Sequence, residues 1–272
     1  MVRLFSRSRR RRHERAGLPE GWRAILAARS AQWKLLGEAE RARLGELADH
    51  LLCTKRWEAA RGFELTDEVR TVVAGHAALL ALGLDESVFD RVGTIVVRAG
   101  AMRRTAPMAG PAKGVLVESP GAVDGEAHHA DGPIMLVWPT ARREAANLRT
   151  GRDVVLHEFA HKLDMLDGTL DGTPPIADEA LRRRWIDVCS TEFRAVLDGN
   201  AGTLLRPYAG TNPGEFFAVA TEAFFTRPIR MQVEKPGLYE VFAAVYGQDP
   251  AARARAHAAT QPSAQRPIPR SV

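Results

Sequence analysis

At 272 residues, 45% hydrophobic and 26% charged, the chain has the composition of a globular protein, long enough for one large domain or two small ones. Two cysteines, Cys53 and Cys189, exclude a disulfide framework and read as reduced thiols, and no run approaches 18 apolar residues, which excludes a membrane-spanning helix. The net charge of +5 comes from the ends: residues 1–16 hold seven arginines against Glu14, residues 251–272 hold four arginines and no acid, and the body between is mildly acidic, a poor footprint for nucleic acid.

The first 16 residues are low-complexity and read as a basic disordered tail. They run into Ala16-Gly17-Leu18-Pro19 rather than an apolar core, which is not the form of a secretory signal; with the reduced thiols this points to the cytoplasm. From Trp22 to about Leu84 apolar residues recur at helical steps, as in Leu44, Leu47, Leu51 and Leu52, then Val69, Val72, Val73, Leu79 and Leu80. Thr66-Asp67-Glu68 reads as a helix start, and His76 as a core histidine on the apolar face that follows. Thr94–Arg98 and Gly114–Val117 read as short strands around a loop with Pro107, Gly110 and Pro111. Gly121–Gly132 reads as a second loop, with His128 and His129 as ordinary loop histidines. Pro133–Trp138 reads as a strand closed by Pro139, and the proline at its start marks it as an edge strand. Helices are predicted at about 152–166, 178–198, 213–226 and 236–247, with Trp57, Trp138 and Trp185 as packing residues. Residues 251–272 read as a second disordered tail. The whole predicts one α+β domain over 17–250, predominantly helical with a small sheet: a helical part 17–90 and a catalytic part 91–250.

The stretch with the most chemistry is Val154-Val155-Leu156-His157-Glu158-Phe159-Ala160-His161, which contains H-E-x-x-H. Residues four apart stack on one helical face, so His157 and His161 can converge on one metal ion as neutral nitrogen donors suited to zinc. Glu158, one residue past the first donor, is placed to take a proton from a water at the metal. Thr150-Gly151-Arg152-Asp153 has the form of a capping box before the apolar run, and Lys162 is a charge where such helices usually carry none.

A catalytic zinc needs a third protein ligand, and the residues offer three. Asp167 lies six positions past His161, but Asp164 stands where a glycine would turn the chain back, so Asp164 and Asp167 read better as polar groups at the helix end, which Gly168 closes. Glu215 and Glu222, seven apart, share a face of the later helix. Glu215 also fits an ordinary helix start, with Asn212 as N-cap and Pro213 at the first position, and Glu222 also fits a surface acid. Spacing alone does not choose between them.

At these residues the chain resembles the Mlc titration factor A family, cytoplasmic bacterial zinc peptidases of the gluzincin type. The resemblance is carried by VVLHEFAHKLDMLDG (154–168), by Tyr208 through EFFAVATEAFF (215–225), and by PGLYEVFAAVYGQDP (236–250). LTDEVR (65–70) and DGPIMLVW (131–138) are weaker matches, and Lys162 fits this family. The resemblance implies a zincin-like metallopeptidase fold with one Zn²⁺ per chain, Glu215 as the third ligand, and Tyr208 beside the metal as hydroxyl donor to an oxyanion. It also implies kinship with the lethal-factor-type peptidase domain, where a tyrosine precedes the ligand glutamate by the same step. Peptide or protein substrates follow, with the strand Pro133–Trp138 available for edge pairing with an extended peptide. The family's name implies a second role, the sequestering of a transcriptional repressor, Mlc, and so regulation of sugar uptake. Binding of nucleic acid through the arginine-rich arm is the weakest reading.

Overall fold

The helical periodicity of the first third of the chain resolves into α1 (Trp22–Arg29), α2 (Glu38–Thr54) and α3 (Asp67–Leu80). The computed structural model describes residues 17–60, 62–100 and 132–260, together with five two-residue strands between 102 and 126. The expected tail 1–16, the histidines His128 and His129 and the segment 261–272 lie outside the described residues. Thr66 caps α3 as its sequence predicts, its hydroxyl accepting from the Val69 N–H. The span read as helical is interrupted by a strand, β1 (Arg56–Ala59). Four residues with two polar side chains are too short to show alternation, and only pairing with a distant strand reveals this one.

That partner is β2 (Thr94–Arg98), followed by the short strands β3 (Met102–Arg103), β4 (Met108–Ala109), β5 (Leu116–Val117), β6 (Ala122–Val123) and β7 (Gly125–Glu126), and then β8 (Ile134–Val137). The main sheet has the order β1-β2-β8-β7, with β1, β2 and β8 parallel and β7 antiparallel to β8. The edge-strand expectation for Pro133–Trp138 is therefore corrected: Ile134–Val137 pairs with β2 on one side, while Leu136 and Met135 pair with Gly125 and Glu126 on the other. A proline only at the entry leaves every later N–H free to bond, so it does not force an edge. The strand also does not close at Pro139. It passes straight into α4 (Trp138–Ala145), because a proline in the first helical turn gives up no needed N–H and presets φ.

The remaining helices are α5 (Val154–Asp164), α6 (Glu179–Leu197), α7 (Pro213–Thr226), α8 (Pro228–Glu234), α9 (Pro236–Tyr246) and α10 (Pro250–Thr260). The fold is thus α+β and mostly helical, as the sequence predicts. The last helix corrects the expectation of a tail from residue 251. Asp249 Oδ1 accepts the Ala252 N–H at 2.8 Å, and the Arg253 guanidinium bonds Glu40 of α2 at 2.6 Å, so an alanine-rich segment gains a cap and a tertiary anchor. One contiguous apolar core runs through the helices and the sheet. In it α5 packs against α7 and α3, and the α7 rings of Phe217 and Phe224 pack with those of Trp185, Phe242 and Tyr246. Neither Cys53 nor Cys189 is part of a disulfide, and no helix among the described residues is long and apolar enough to cross a membrane.

At its C-terminal end α5 passes through a 3₁₀ turn, Met165–Asp167, to Gly168 in the left-handed region at φ 97°. Asp164, fully buried, folds the next loop back by accepting the Gly172 N–H at 2.9 Å. Burial pushes its carboxyl from the ordinary 3.8 up to about 7. The folded chain therefore holds an extra proton between about pH 4 and pH 7, and stability falls as pH rises through that window. In Asp164→Asn this contribution should vanish, leaving the variant less pH-sensitive than wild type by on the order of 2–4 kcal/mol between pH 4 and pH 8. Urea denaturation across that range measures it, and parallel profiles would refute it.

Candidate metal centre

Every residue of α5 is buried, so its N-terminal N–H groups need acceptors inside the protein. Three carboxylates supply them. Glu144 of α4 accepts the Val154 N–H at 2.9 Å; Asp153 accepts those of Val155 and Leu156 at 3.1 and 3.2 Å; Glu222 of α7 accepts that of Asp153 at 2.9 Å. The predicted capping box at Thr150 is therefore displaced by one turn: the N-cap is Asp153, and Thr150 instead accepts the Arg152 N–H in the preceding turn. Asp153 is itself held by His76, whose Nδ1–H donates to Oδ2 at 2.5 Å while Nε2 accepts from the Ser30 hydroxyl at 2.9 Å. His76 is the core histidine the sequence predicts, with a structural duty at the start of the H-E-x-x-H helix.

Along α5, His157 and His161 lie one turn apart, their rings 4.8 Å between centroids. Glu215 faces them from the first turn of α7, where Asn212 caps the helix by accepting the Glu215 N–H at 2.9 Å. Its Oε2 lies 3.1 Å from His157 Nε2 and 3.5 Å from His161 Nε2. Two donors on a tetrahedral zinc, with bonds of about 2.0–2.1 Å, lie roughly 3.3 Å apart. The three ligand atoms lie within 4.8 Å of one another and could hold a metal ion, and they are the one such cluster of His, Cys, Asp or Glu among the described residues. Asp167 is not part of it: its Oδ1 accepts the Thr169 N–H and hydroxyl.

Glu222 is neither a surface acid nor a member of the cluster. It is 1% exposed, and its Oε1 accepts the Nδ1–H of His157 at 2.7 Å and an Arg206 N–H at 2.6 Å. The sequence reading offered it two roles and missed the third, a carboxylate behind the His157 imidazole that fixes its tautomer and orientation. The signal was present: two acids seven apart on an apolar helix can flank one ring.

Tyr208, 49% exposed, donates its hydroxyl to Glu215 Oε1 at 3.0 Å, and its ring lies 6.2 Å from that of His157. Glu158 is buried within electrostatic reach of both His157 and Tyr208. Lys162, odd for such a helix, is buried with its Nζ donating to the Gly132 carbonyl at 2.7 Å, which ties α5 to the entry of β8.

The electrostatics favour a cation. Burial works against a charged His157, but its bonds to Glu215 and Glu222 and the charge of Glu158 outweigh this and push it up to about 10. His161 is held below its ordinary value by burial, with the charge of His157 adding to the effect. Burial would raise Glu215 and Glu222, yet the imidazoles, and for Glu222 also Arg206, hold both below the usual carboxylate range. Burial and the Glu215 charge raise Tyr208, which keeps its proton at neutral pH. Three acids around two imidazoles make a site whose field suits a cation.

Two imidazoles from one helix and a carboxylate from its neighbour define a candidate three-ligand metal centre in a helix-rich α+β frame. A family model matches residues 5–247, and the chain belongs to the glucose-regulated metallo-peptidase M90 family. It is 34% identical over 236 residues to the uncharacterized protein slr2042 of Synechocystis, covering 86% of each chain. It is 31% identical over 223 residues to Mlc titration factor A of Yersinia pestis, covering 80% of this chain and 81% of the relative. The Yersinia pseudotuberculosis protein of that name matches equally.

Asp153→Ala would remove the cap, at a cost of about 1 kcal/mol, and leave the His76 N–H without its acceptor, at about 1–3 kcal/mol. A combined loss of roughly 2–4 kcal/mol is expected by chemical denaturation. A loss well under 1 kcal/mol would show that the His76–Asp153 contact does not anchor α5.

Proposed function

We propose that this protein is a zinc-dependent peptidase of the gluzincin type, with one Zn²⁺ held by His157, His161 and Glu215. The observation that carries the reading is the convergence of His157 Nε2, His161 Nε2 and Glu215 Oε2 at ligand spacing, in a chain of a metallo-peptidase family. When bound, the ion supplies Lewis acidity, acidifying a water and polarising the scissile carbonyl.

The remaining chemistry belongs to the side chains. Glu158 takes the proton of the attacking water and passes it to the leaving amine. Tyr208 swings its hydroxyl from Glu215 to the developing oxyanion, which it can do because its ring is half exposed and its proton tightly held. Glu222 holds the His157 ring so that Nε2 points at the ion.

Elemental analysis of protein purified without chelator tests the ligand set. About one zinc per chain is expected in the wild type, to be lost in Glu215→Gln and retained in Glu158→Gln. The Glu158 variant should lose at least about 100-fold in peptide cleavage. A wild type that takes up no zinc, even on reconstitution, would sink the reading.

The name of the Yersinia relatives, Mlc titration factor A, supports a second reading, in which this chain captures a repressor of that kind. The two activities can coexist. On α8, Ile229 and Val233 stand exposed one turn apart, away from the metal cluster in sequence, and give such a partner apolar surface. Calorimetric titration with purified Mlc should give a complex that Glu158→Gln leaves intact. No heat of binding at micromolar concentrations would remove this reading.

A further inference from the structure

Behind the candidate ligands a single guanidinium touches both halves of the site. Arg206 is three-quarters buried, and its Nη2 donates to Glu222 Oε1, the oxygen that also accepts the His157 Nδ1–H. The other Glu222 oxygen accepts the Asp153 N–H at the start of α5. The guanidinium carbon of Arg206 also lies 5.7 Å from the centre of the Tyr208 ring. Arg206 and Tyr208 are joined through Pro207, and the tyrosine lies in a 3₁₀ turn, Pro207–Gly210, that packs against α7. One side chain therefore supports the carboxylate that orients a ligand imidazole and the ring whose hydroxyl faces Glu215.

The physical requirement comes from Glu222. A fully buried carboxylate needs a counter-charge and filled acceptor positions to stay where it is. Arg206 supplies the charge in a planar form that can also lie against an aromatic face, which an ammonium cannot do as well. Resting on the zinc-peptidase reading, we propose that Arg206 is a positioning residue that, through Glu222 and through the Tyr208 ring, sets the ligand imidazole and the oxyanion-side hydroxyl together.

The test uses the full chain with Arg206→Gln and Arg206→Lys, each alone and with Tyr208→Phe. Zinc affinity is read by competition with a chromogenic chelator, and kcat and KM are read on a cleaved peptide. Arg206→Gln should weaken zinc binding by about tenfold or more, the low end for an outer-shell partner, and should lower kcat with little change in KM. Arg206→Lys should recover the zinc affinity but not kcat, because it restores the charge on Glu222 and not the flat face on Tyr208. In the Tyr208→Phe background the kcat cost of Arg206→Lys should disappear. If Arg206→Gln lowers Tm yet binds zinc as the wild type does, and its kcat loss adds to that of Tyr208→Phe, Arg206 merely supports the fold and the proposal falls. Should Arg206→Gln fail to fold, Arg206→Lys decides alone: reduced kcat at wild-type zinc affinity supports the proposal, and wild-type kcat overturns it. A wild type with neither zinc nor cleavage overturns the underlying reading as well, and so differs visibly from failure of the positioning claim.

Discussion

One helix grips one imidazole by both of its nitrogens. Glu215 and Glu222, two turns apart on α7, flank the His157 ring, with Oε2 of the first 3.1 Å from Nε2 and Oε1 of the second 2.7 Å from Nδ1. Much of the rest follows from that constraint. Helices α5 and α7 must lie side by side along their length, so α5 has no exposed face. A buried helix start needs internal acceptors, so Glu144, Asp153 and Glu222 gather at the α5 N-terminus, where the helix dipole offsets part of their charge. Buried acids in turn need cations or N–H groups, which Arg206 and His76 provide.

The charge distribution of the chain reads differently in this light. Its ends are basic and its body acidic, and a share of the body's acidity is concentrated in this small buried volume. Acids there set the local field rather than the solubility of a surface. On the proposed reading, the donor set, the carboxylate behind it and the general-base candidate together would form a trap for a divalent cation.

Legibility in the sequence followed the range of the interactions. The H-E-x-x-H helix, the Asn212-Pro213-Glu215 start and the capping of α3 by Thr66 are set by neighbours within four residues, and all three were readable. Strand β1 was not, because it exists only by pairing with β2, about forty residues on. The same holds for the position of β8 inside the sheet, set by pairing with Gly125 and Glu126. Helix α10 escaped notice because its anchor, Glu40, lies 213 residues away from Arg253. At the metal centre the two histidines and Glu158 stand out from spacing, and Glu215 needed the family resemblance. Glu222 was visible only as an acid on an apolar helix, since its role depends on which ring α7 happens to face. Asp153 was seen as part of a cap but one turn out of register, because its second partner, His76, comes from another helix.

The Ser30–His76–Asp153 chain has a bearing on when the protein can act. His76 is 77 residues before Asp153, and Glu222 is 65 residues after His157. The centre therefore draws on three distant stretches, and a nascent or partly unfolded chain holds the histidine pair without the groups that aim it. On the peptidase reading proposed above, a hydrolytic enzyme assembled in this way would act only once its whole core had closed, which would protect the chain from its own unfolded copies and confine its chemistry to the native state.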